Sequence, residues 1–382
     1  MLVCKATTAA VTALAVVQSC DSFLVAPPHG ASLVFSGART KPLTNALMMS
    51  TVPVEPTAPT IQEDRVPLGS LQVAPLGIGT WAWGDTLFWE YSDSMDRELQ
   101  EVFENCVAKG LNLFDTAEIY GIGRSEYLCG RFTRDFRGSK ELQNDIVLAS
   151  KFAPLPWRLG REAVVKACKA SLQRMGKDSM ELYQIHWPAT WLDGRYWDGL
   201  ADCMDQGLVQ AVGVSNYGAE ALRKAHAALA ARGVQLVSNQ VQYSLLYRNP
   251  ESNGVLRACQ ELEVGVLAYS PLAQGLLTGR YTAESLPSGP RARAFKKIAP
   301  KMGPLIGKLA EAGEARGKTK AQVALNWCIC KGTIPIPGAK NTRQAEENSG
   351  ALGWRLTPEE VSELDTVARE IGVQMQGMPG TK

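Results

Sequence analysis

The sequence predicts a (β/α)8 barrel of the TIM-barrel class, with an N-terminal hairpin, a long loop after strand seven and a C-terminal helix. Three observations carry that expectation. Beyond Arg65, short β-branched apolar runs alternate with amphipathic stretches eight times over. No Gly-rich fingerprint opens the series, which favours a closed barrel over an open doubly wound sheet. Nearly every run also ends in a polar or aromatic residue: Thr80 and Trp81, Asp115, Lys151, His186, Ser215 and Asn216, Gln240, Tyr269 and Ser270. In this fold class those ends converge on one face, where active sites sit.

The elements follow in order. Residues 66–73 read as a small hairpin ahead of the barrel. Strands are expected near 76–81, 111–116, 146–152, 180–187, 209–216, 237–244, 264–271 and 333–338. Helical patterns fill the gaps, for example at 161–175, 219–231 and 254–262. The segment 273–300 is long for a connection in a compact domain, and a lid over a bound cofactor is the favoured reading of it.

Ahead of the barrel (65–382) stands a leader. Residues 1–22 carry Lys5, an apolar stretch at 9–17 and a small-x-small site at Cys20-Asp21-Ser22, the pattern of a signal peptide. Residues 23–50 lack acidic side chains and read as a transit peptide. The pair, with Phe23 at its junction, resembles the bipartite plastid leaders of algae with secondary plastids, plain secretion being the alternative. Residues 51–64 are Pro/Thr-rich and read as a disordered linker.

Charge and cysteine use narrow the function. The net charge of +2 belongs to the leader, and the remaining 37 basic and 37 acidic residues cancel. That balance offers no broad footprint for nucleic acid, and no apolar run is long enough to cross a bilayer. The expected partner is a small molecule, and the expected state is a monomer or weak oligomer. Seven of the nine cysteines lie in the body, with no Cys-x-x-Cys, so free thiols in a reducing compartment are expected and no metal site is.

Asp115, Tyr120, Lys151 and His186 are the chemically capable set. Reducing a carbonyl by hydride leaves an alkoxide that needs a proton, and a tyrosine can give it. An unperturbed phenol near pKa 10 is a weak donor, so a neighbouring ammonium that lowers the value is useful. Lys151, held by Asp115, can play that part, with His186 orienting the carbonyl. Of three histidines, only His186 stands at a strand end.

Phe114-Asp115-Thr116-Ala117-Glu118-Ile119-Tyr120-Gly121 followed by Ser125-Glu126 resembles the signature of the aldo-keto reductase superfamily. Lys151 and His186 complete that family's tetrad, and the likeness, running from about Gly69 to Gly372, is nearest to plant chloroplast members that include pyridoxal reductases. It implies NADPH/NADP as cofactor and a small carbonyl compound as substrate. It also implies a catalytic set of Asp115, Tyr120, Lys151 and His186. Thr80, Trp81, Ser215, Asn216 and Gln240 would serve the nicotinamide end, with Tyr269 stacked on the ring. Ser270, Pro271, Leu272, Gln274, Gly275 and Arg280 would line the pyrophosphate. Gly338, Lys340, Gln344, Glu347 and Asn348 would hold the adenosine end. Many members carry Lys-Ser where this chain has Gly338-Ala339, leaving Lys340 and Arg343 as the nearby cations.

The aromatics Trp81, Trp83, Phe88, Trp89, Trp157, Trp187 and Trp191 follow strand ends, and several can wall an apolar pocket for a planar aldehyde such as pyridoxal. For Trp83 and Trp191 the sequence leaves core and pocket equally open. A phosphate on the substrate is expected to be a handicap unless Arg158 or Arg161 reaches it. The competing reading is an NADPH-binding redox sensor resembling potassium-channel β subunits, which share the barrel and the tetrad.

Overall fold

The computed structural model describes residues 64–287 and 291–377. The expected signal peptide, the transit peptide and the linker up to residue 63 lie outside these residues. Asp64, at the linker's end, receives an ion pair from Arg355 at 2.6 Å.

A two-stranded antiparallel hairpin, β1 (Val66–Leu68) and β2 (Leu71–Val73), comes first. Its turn needs Gly69, which sits at φ +60 with Val237 where a Cβ would go. Leu68, Leu71 and Val73 bury against Leu113, Val147, Leu182, Val237, Leu267 and Ile334, so the hairpin plugs the barrel's lower end.

Eight parallel strands follow in consecutive order: β3 (Ile78–Gly79), β4 (Leu113–Asp115), β5 (Val147–Phe152), β6 (Met180–Ile185), β7 (Val209–Ser215), β8 (Leu236–Gln242), β9 (Gly265–Tyr269) and β10 (Ile334–Pro335). A parallel bridge between Gly79 and Gly338 brings the last strand back to the first. Gly77 and Gly79 donate across this seam to the carbonyls of Pro335 and Pro337 at 2.9 and 3.0 Å. The barrel therefore closes, as the sequence predicts. β3 and β10 are shorter than expected because Pro75, Pro335 and Pro337 offer no N–H to a ladder.

The helices are α1 (Asp96–Ala108), α2 (Arg124–Arg134), α3 (Lys140–Asn144), α4 (Arg161–Met175), α5 (Asp193–Asp205), α6 (Ala219–Ala230), α7 (Asn249–Ser252), α8 (Val255–Glu261), α9 (Arg291–Ile298), α10 (Gly303–Glu314), α11 (Lys320–Cys330), α12 (Thr342–Ser349) and α13 (Pro358–Glu370). Their starts are written in the sequence. Thr319 with Gln322 and Thr357 with Glu360 form capping boxes, and Pro358 opens α13. One large core lies between the sheet and the helices α1 to α8, joined by α12 through Ala345, and a second lies under α9, α10 and α13, with α11 contributing to both. No helix among the described residues is long and apolar enough to cross a membrane.

The segment after β9 departs from the expected long loop. It holds a tight turn at Ala273–Thr278 and then α9. The pattern Arg-Ala-Arg-Ala-Phe-Lys-Lys-Ile is helix-forming, and Phe295 and Ile298, three apart, seat it on the second core.

Candidate active site

The upper ends of β4, β5 and β6 bring the four candidate catalytic residues together. Asp115 ends β4 and Lys151 lies in β5, and both are buried. Lys151 Nζ donates to Asp115 Oδ2 at 2.6 Å and to the Thr116 carbonyl at 2.7 Å. Tyr120 enters from the loop after β4, its ring centroid 5.0 Å from that ammonium. The His186 ring stands edge-on to it at 5.8 Å.

The turn behind Tyr120 is left-handed at Gly121, Ile122 and Gly123. A Cβ on Gly121 would lie 2.3 Å from the carbonyl oxygen of Gly84, so only glycine fits there. The turn is thereby pressed against the loop after β3. From the same loop comes Trp81, its ring 6.2 Å from that of Tyr120.

The electrostatics depart from one expectation. Desolvation holds the Tyr120 phenol well above its ordinary value, and the carboxylate of Asp115 and the hydroxyl of Tyr269 push the same way. The expected lowering by Lys151 is outweighed, chiefly by burial of the phenol. Burial, opposed by Asp115 and Glu126, sets Lys151 below its usual value. His186 is held well below 6.5 by burial and then by Lys151, so it is neutral. Its Nδ1 is buried with no hydrogen-bond partner, a polar atom whose partner must come from a ligand or water.

Two glutamines support this centre, and the sequence reading passed over one of them, Gln184. Gln240, expected at the nicotinamide, donates through Nε2 to Asp115 Oδ1 at 2.7 Å. Gln184 points to the same oxygen at 3.4 Å and accepts from Ser238. The signal for Gln184 was its spacing, two residues before His186 on a strand face otherwise occupied by Met180 and Leu182. Ser125 and Glu126, at the start of α2, are also structural. Ser125 bonds Thr80 and Thr116, and Glu126 accepts from Ser150 and Arg174 at 2.5 Å each. Three strand ends are thus tied to one helical turn.

The residues expected around a cofactor form a continuous arc over β7 to β10. Asn216 sits at φ +63 and donates to the His186 carbonyl and to Ser215 Oγ, while its Oδ1 accepts from Tyr269. Ser215 Oγ itself donates to the Gln240 carbonyl. Thr80 is fully buried and bonded to Asp115 O and Ser125, so it braces the strand end and does not line the mouth. Past Tyr269 the backbone is left-handed at Ser270, Ala273, Gln274, Gly275 and Gly279, with Pro271 and Leu272 between. Such clustered strain outside glycine marks functional segments.

At the far end, Gln344 accepts from the Lys340 N–H at 2.8 Å and Asn348 donates to the Gly338 carbonyl at 3.2 Å, fixing the turn after β10. Lys340 Nζ lies 5.7 Å from the Trp89 ring, and Arg291 of α9 lies 4.8 Å from the same ring. Burial, Arg291 and Arg280 depress the Lys340 ammonium against the opposing pull of Glu90. Arg343 instead reaches towards Glu347, at 3.9 Å, on the exposed face of α12. Arg291 was missed from sequence because nearly fifty residues separate it from Lys340. The Trp89 indole N–H is buried there without a partner. Three crowded cations and an orphan donor are what a bound phosphate would relieve.

The aromatic residues divide. Trp83 is fully buried and donates to the Ala339 carbonyl at 2.8 Å, which makes it core. Trp81 stacks on Phe88 at 5.1 Å, with Trp89 edge-on to it, while Trp157 and Trp191 stand exposed. Arg158 is paired with Glu118, and Arg161 is paired at 2.6 Å with Asp202.

The sequence profile of the aldo/keto reductase family matches residues 75–369. The chain belongs to the aldo/keto reductase family. As an aldo/keto reductase it is 48% identical over 314 residues to a chloroplastic pyridoxal reductase of Arabidopsis thaliana, covering 80% of this chain and 86% of that one. A thermostable aldo-keto reductase solved with the inhibitor epalrestat superposes with a TM-score of 0.65 at 29% identity, covering 79% of this chain and 99% of that one. An aldo/keto reductase of Klebsiella pneumoniae solved with NADP and acetate gives 0.63 at 27% identity, covering 80% and 94%.

Proposed function

We propose that this aldo/keto reductase uses NADPH to reduce an aldehyde or ketone to the alcohol, with Tyr120 as general acid and a planar aldehyde of the pyridoxal type as substrate. The observation that carries the reading is the meeting of Tyr120, a buried Lys151–Asp115 pair and a neutral His186 at one mouth. Residues that fit the cofactor lie beside it. Lys340, Arg291 and Arg280 would take the phosphate of the adenosine end, the left-handed segment after Tyr269 the pyrophosphate, and Tyr269, Asn216 and Ser215 the nicotinamide. When bound, the dinucleotide supplies the hydride to the carbonyl carbon.

The remaining chemistry belongs to the protein. A carbonyl oxygen placed between His186 and Tyr120 accepts a hydrogen bond from the neutral imidazole, which fixes its orientation. As negative charge grows on that oxygen, the Tyr120 hydroxyl gives up its proton to it. Lys151 then stabilises the phenolate left behind, and Asp115 keeps Lys151 charged within a buried site. The raised pKa of Tyr120 keeps the donor loaded until the alkoxide, a much stronger base, forms.

Tyr120→Phe tests the assignment. The ring survives and the donor is lost, so NADPH binding should persist while reduction falls about 10²–10⁴-fold. Near-normal turnover would overturn it. The plastid address is tested separately by fusing residues 1–50 to a fluorescent protein. Import into the plastid should be lost on deleting Phe23, and uniform cytosolic signal from the intact fusion would overturn the address.

A further inference from the structure

The described residues include six large hydrophobic side chains that are exposed: Leu87, Ile122, Tyr127, Trp157, Leu159 and Trp191. Their placement is not random. Leu87 lies after β3, Ile122 and Tyr127 after β4, Trp157 and Leu159 after β5, and Trp191 after β6. These four strands are consecutive neighbours in the barrel, so their upper loops adjoin. The cations Arg280, Arg291 and Lys340 sit on the loops after β9 and β10. The exposed apolar side chains thus stand on the β3 to β6 side, where Arg124, Arg158 and Arg161 are each paired with a carboxylate.

Continuity ties the apolar half to the reaction site. Ile122 follows Tyr120 by two residues, Trp191 follows His186 by five and Trp157 follows Lys151 by six. Nearer the carbonyl, Trp81 and Trp187 are half-buried beside Tyr120 and His186, with ring separations of 6.2 and 4.8 Å. A single-ring aldehyde is met by those two inner rings. It leaves the outer side chains in water, Trp191 at 81% and Trp157 at 59% exposure.

Ile122 adds an independent observation. It is β-branched and held at φ +56, ψ 45, a left-handed conformation that such residues strongly disfavour. Its side chain is 62% exposed, so packing within the protein does not compensate. Gly121 and Gly123 on either side show that glycine suits this turn. An isoleucine kept there at a conformational cost, with its side chain in water, has its contact elsewhere.

We propose that Ile122, Trp157 and Trp191 form an outer apolar subsite that takes the tail of the substrate, so that the enzyme favours aldehydes carrying an alkyl chain or second ring beyond the one bearing the carbonyl. This rests on the reductase reading of the same mouth. Each methylene withdrawn from water adds favourable transfer free energy, so affinity should climb with tail length until the subsite is covered.

The test is a series of para-alkylated benzaldehydes, from benzaldehyde to 4-butylbenzaldehyde, reduced with NADPH. The wild type should show kcat/KM rising at least ten-fold along the series. Trp157→Ser with Trp191→Ser should flatten the rise while leaving benzaldehyde within about two-fold, and Tm should not fall, both side chains being exposed. Ile122→Gly should flatten it too, with Tm unchanged or raised. A flat wild-type series, or an equal loss for every aldehyde, would overturn the proposal. So would a change in sedimentation of the tryptophan variants from dimer to monomer, which would make the patch a self-association surface. Calorimetry of the NADP-loaded protein with benzyl and 4-butylbenzyl alcohol needs no turnover. Tighter binding of the butyl compound, lost in the variants, supports the subsite even if the carbonyl chemistry is misread, and equal binding overturns it. Failure to reduce any aldehyde bears on the reductase reading alone.

Discussion

Lys151 Nζ lies 2.6 Å from Asp115 Oδ2, and neither side chain has appreciable contact with solvent. The pair is therefore a net-neutral unit inside the barrel, and removing one half leaves the other's charge stranded. Asp115→Asn keeps the shape and deletes the charge. Losing one partner of a buried ion pair costs about 3–5 kcal/mol, to be read as a lower denaturation midpoint in urea. Lys151 would then be pushed further below its unfolded value, so the unfolded chain binds more protons and stability rises with pH between the two values. The deficit against wild type should accordingly shrink between pH 7 and about pH 10. A deficit constant with pH would mean that lost packing, not stranded charge, is responsible.

The titrating groups predict a broad pH plateau for reduction. His186 is displaced well below 6.5 by burial and Lys151, so it stays neutral on the acid side. Tyr120 is displaced well above 10, so the donor stays protonated on the alkaline side. Lys151, displaced downwards, is the group whose loss of charge ends the plateau. kcat should be level through neutral pH, with no acid limb near 6.5, and should fall on the alkaline side before the ordinary lysine value of 10.5 is reached. An acid limb with its midpoint near 6.5 would show that His186 titrates during turnover.

Cofactor choice should depend on two cations from distant parts of the chain. Lys340 and Arg291 flank Trp89 and have no carboxylate ion pair among the described residues. A charge-assisted contact to phosphate contributes about 1.5–3 kcal/mol. Lys340→Ala and Arg291→Ala should each raise the Kd for NADPH about ten-fold or more, with NADH little changed. Arg343→Ala should do far less, because that side chain is exposed and directed at Glu347. Equal effects of Lys340→Ala on the two cofactors would show that it does not read the 2′-phosphate.

Alternation carried most of the fold, and strand-end chemistry carried the meeting of the four candidate catalytic residues. Asp115, Lys151 and His186 stand at the ends of short apolar runs, where the barrel forces convergence whatever the intervening helices do. What escaped depends on contacts between segments far apart in sequence. Arg291 meets Trp89 only because α9 is seated on the second core, a contact that its helix-forming pattern alone does not show. Gln240 binds Asp115 across 125 residues, a register set by strand pairing through β4 to β8. The direction of the Tyr120 shift escaped for another reason: the sequence shows a neighbouring ammonium and carboxylate, and only the structure shows how completely the phenol is buried, which is the leading cause of the rise.

The seam offers a test of closure. Gly79 and Gly338 face each other across it, but a Cβ on Gly79 would lie 2.9 Å from the Ile336 carbonyl oxygen, whereas one on Gly338 finds its nearest neighbour at 3.7 Å. Backbone cannot yield as a side chain does. Gly79→Ala should therefore cost about 1–3 kcal/mol of stability, and Gly338→Ala should lie within about 0.5 kcal/mol of wild type. Equal denaturation midpoints for the two variants would show that the seam opens at little cost.

The substrate prediction follows from which groups at the mouth remain unpaired. In the proposed reading Trp81 and Trp187 give flat apolar walls, and His186 and Tyr120 the polar floor. An open-chain sugar brings many hydroxyls that would lose water there without finding partners. A phosphate on the substrate fares no better. The two arginines nearest the Lys151 side are engaged, Arg158 with Glu118 and Arg161 with Asp202. A planar, unphosphorylated aldehyde such as pyridoxal or benzaldehyde should accordingly exceed glucose and xylose in kcat/KM by at least about 10²-fold, roughly 2.7 kcal/mol of transition-state discrimination. Pyridoxal should also exceed its 5′-phosphate, and Glu118→Gln, which releases Arg158, should narrow that gap. Sugars equal to pyridoxal in the same NADPH assay would overturn the pocket reading, and a preferred phosphate ester would mean that Arg158 leaves Glu118 when substrate binds.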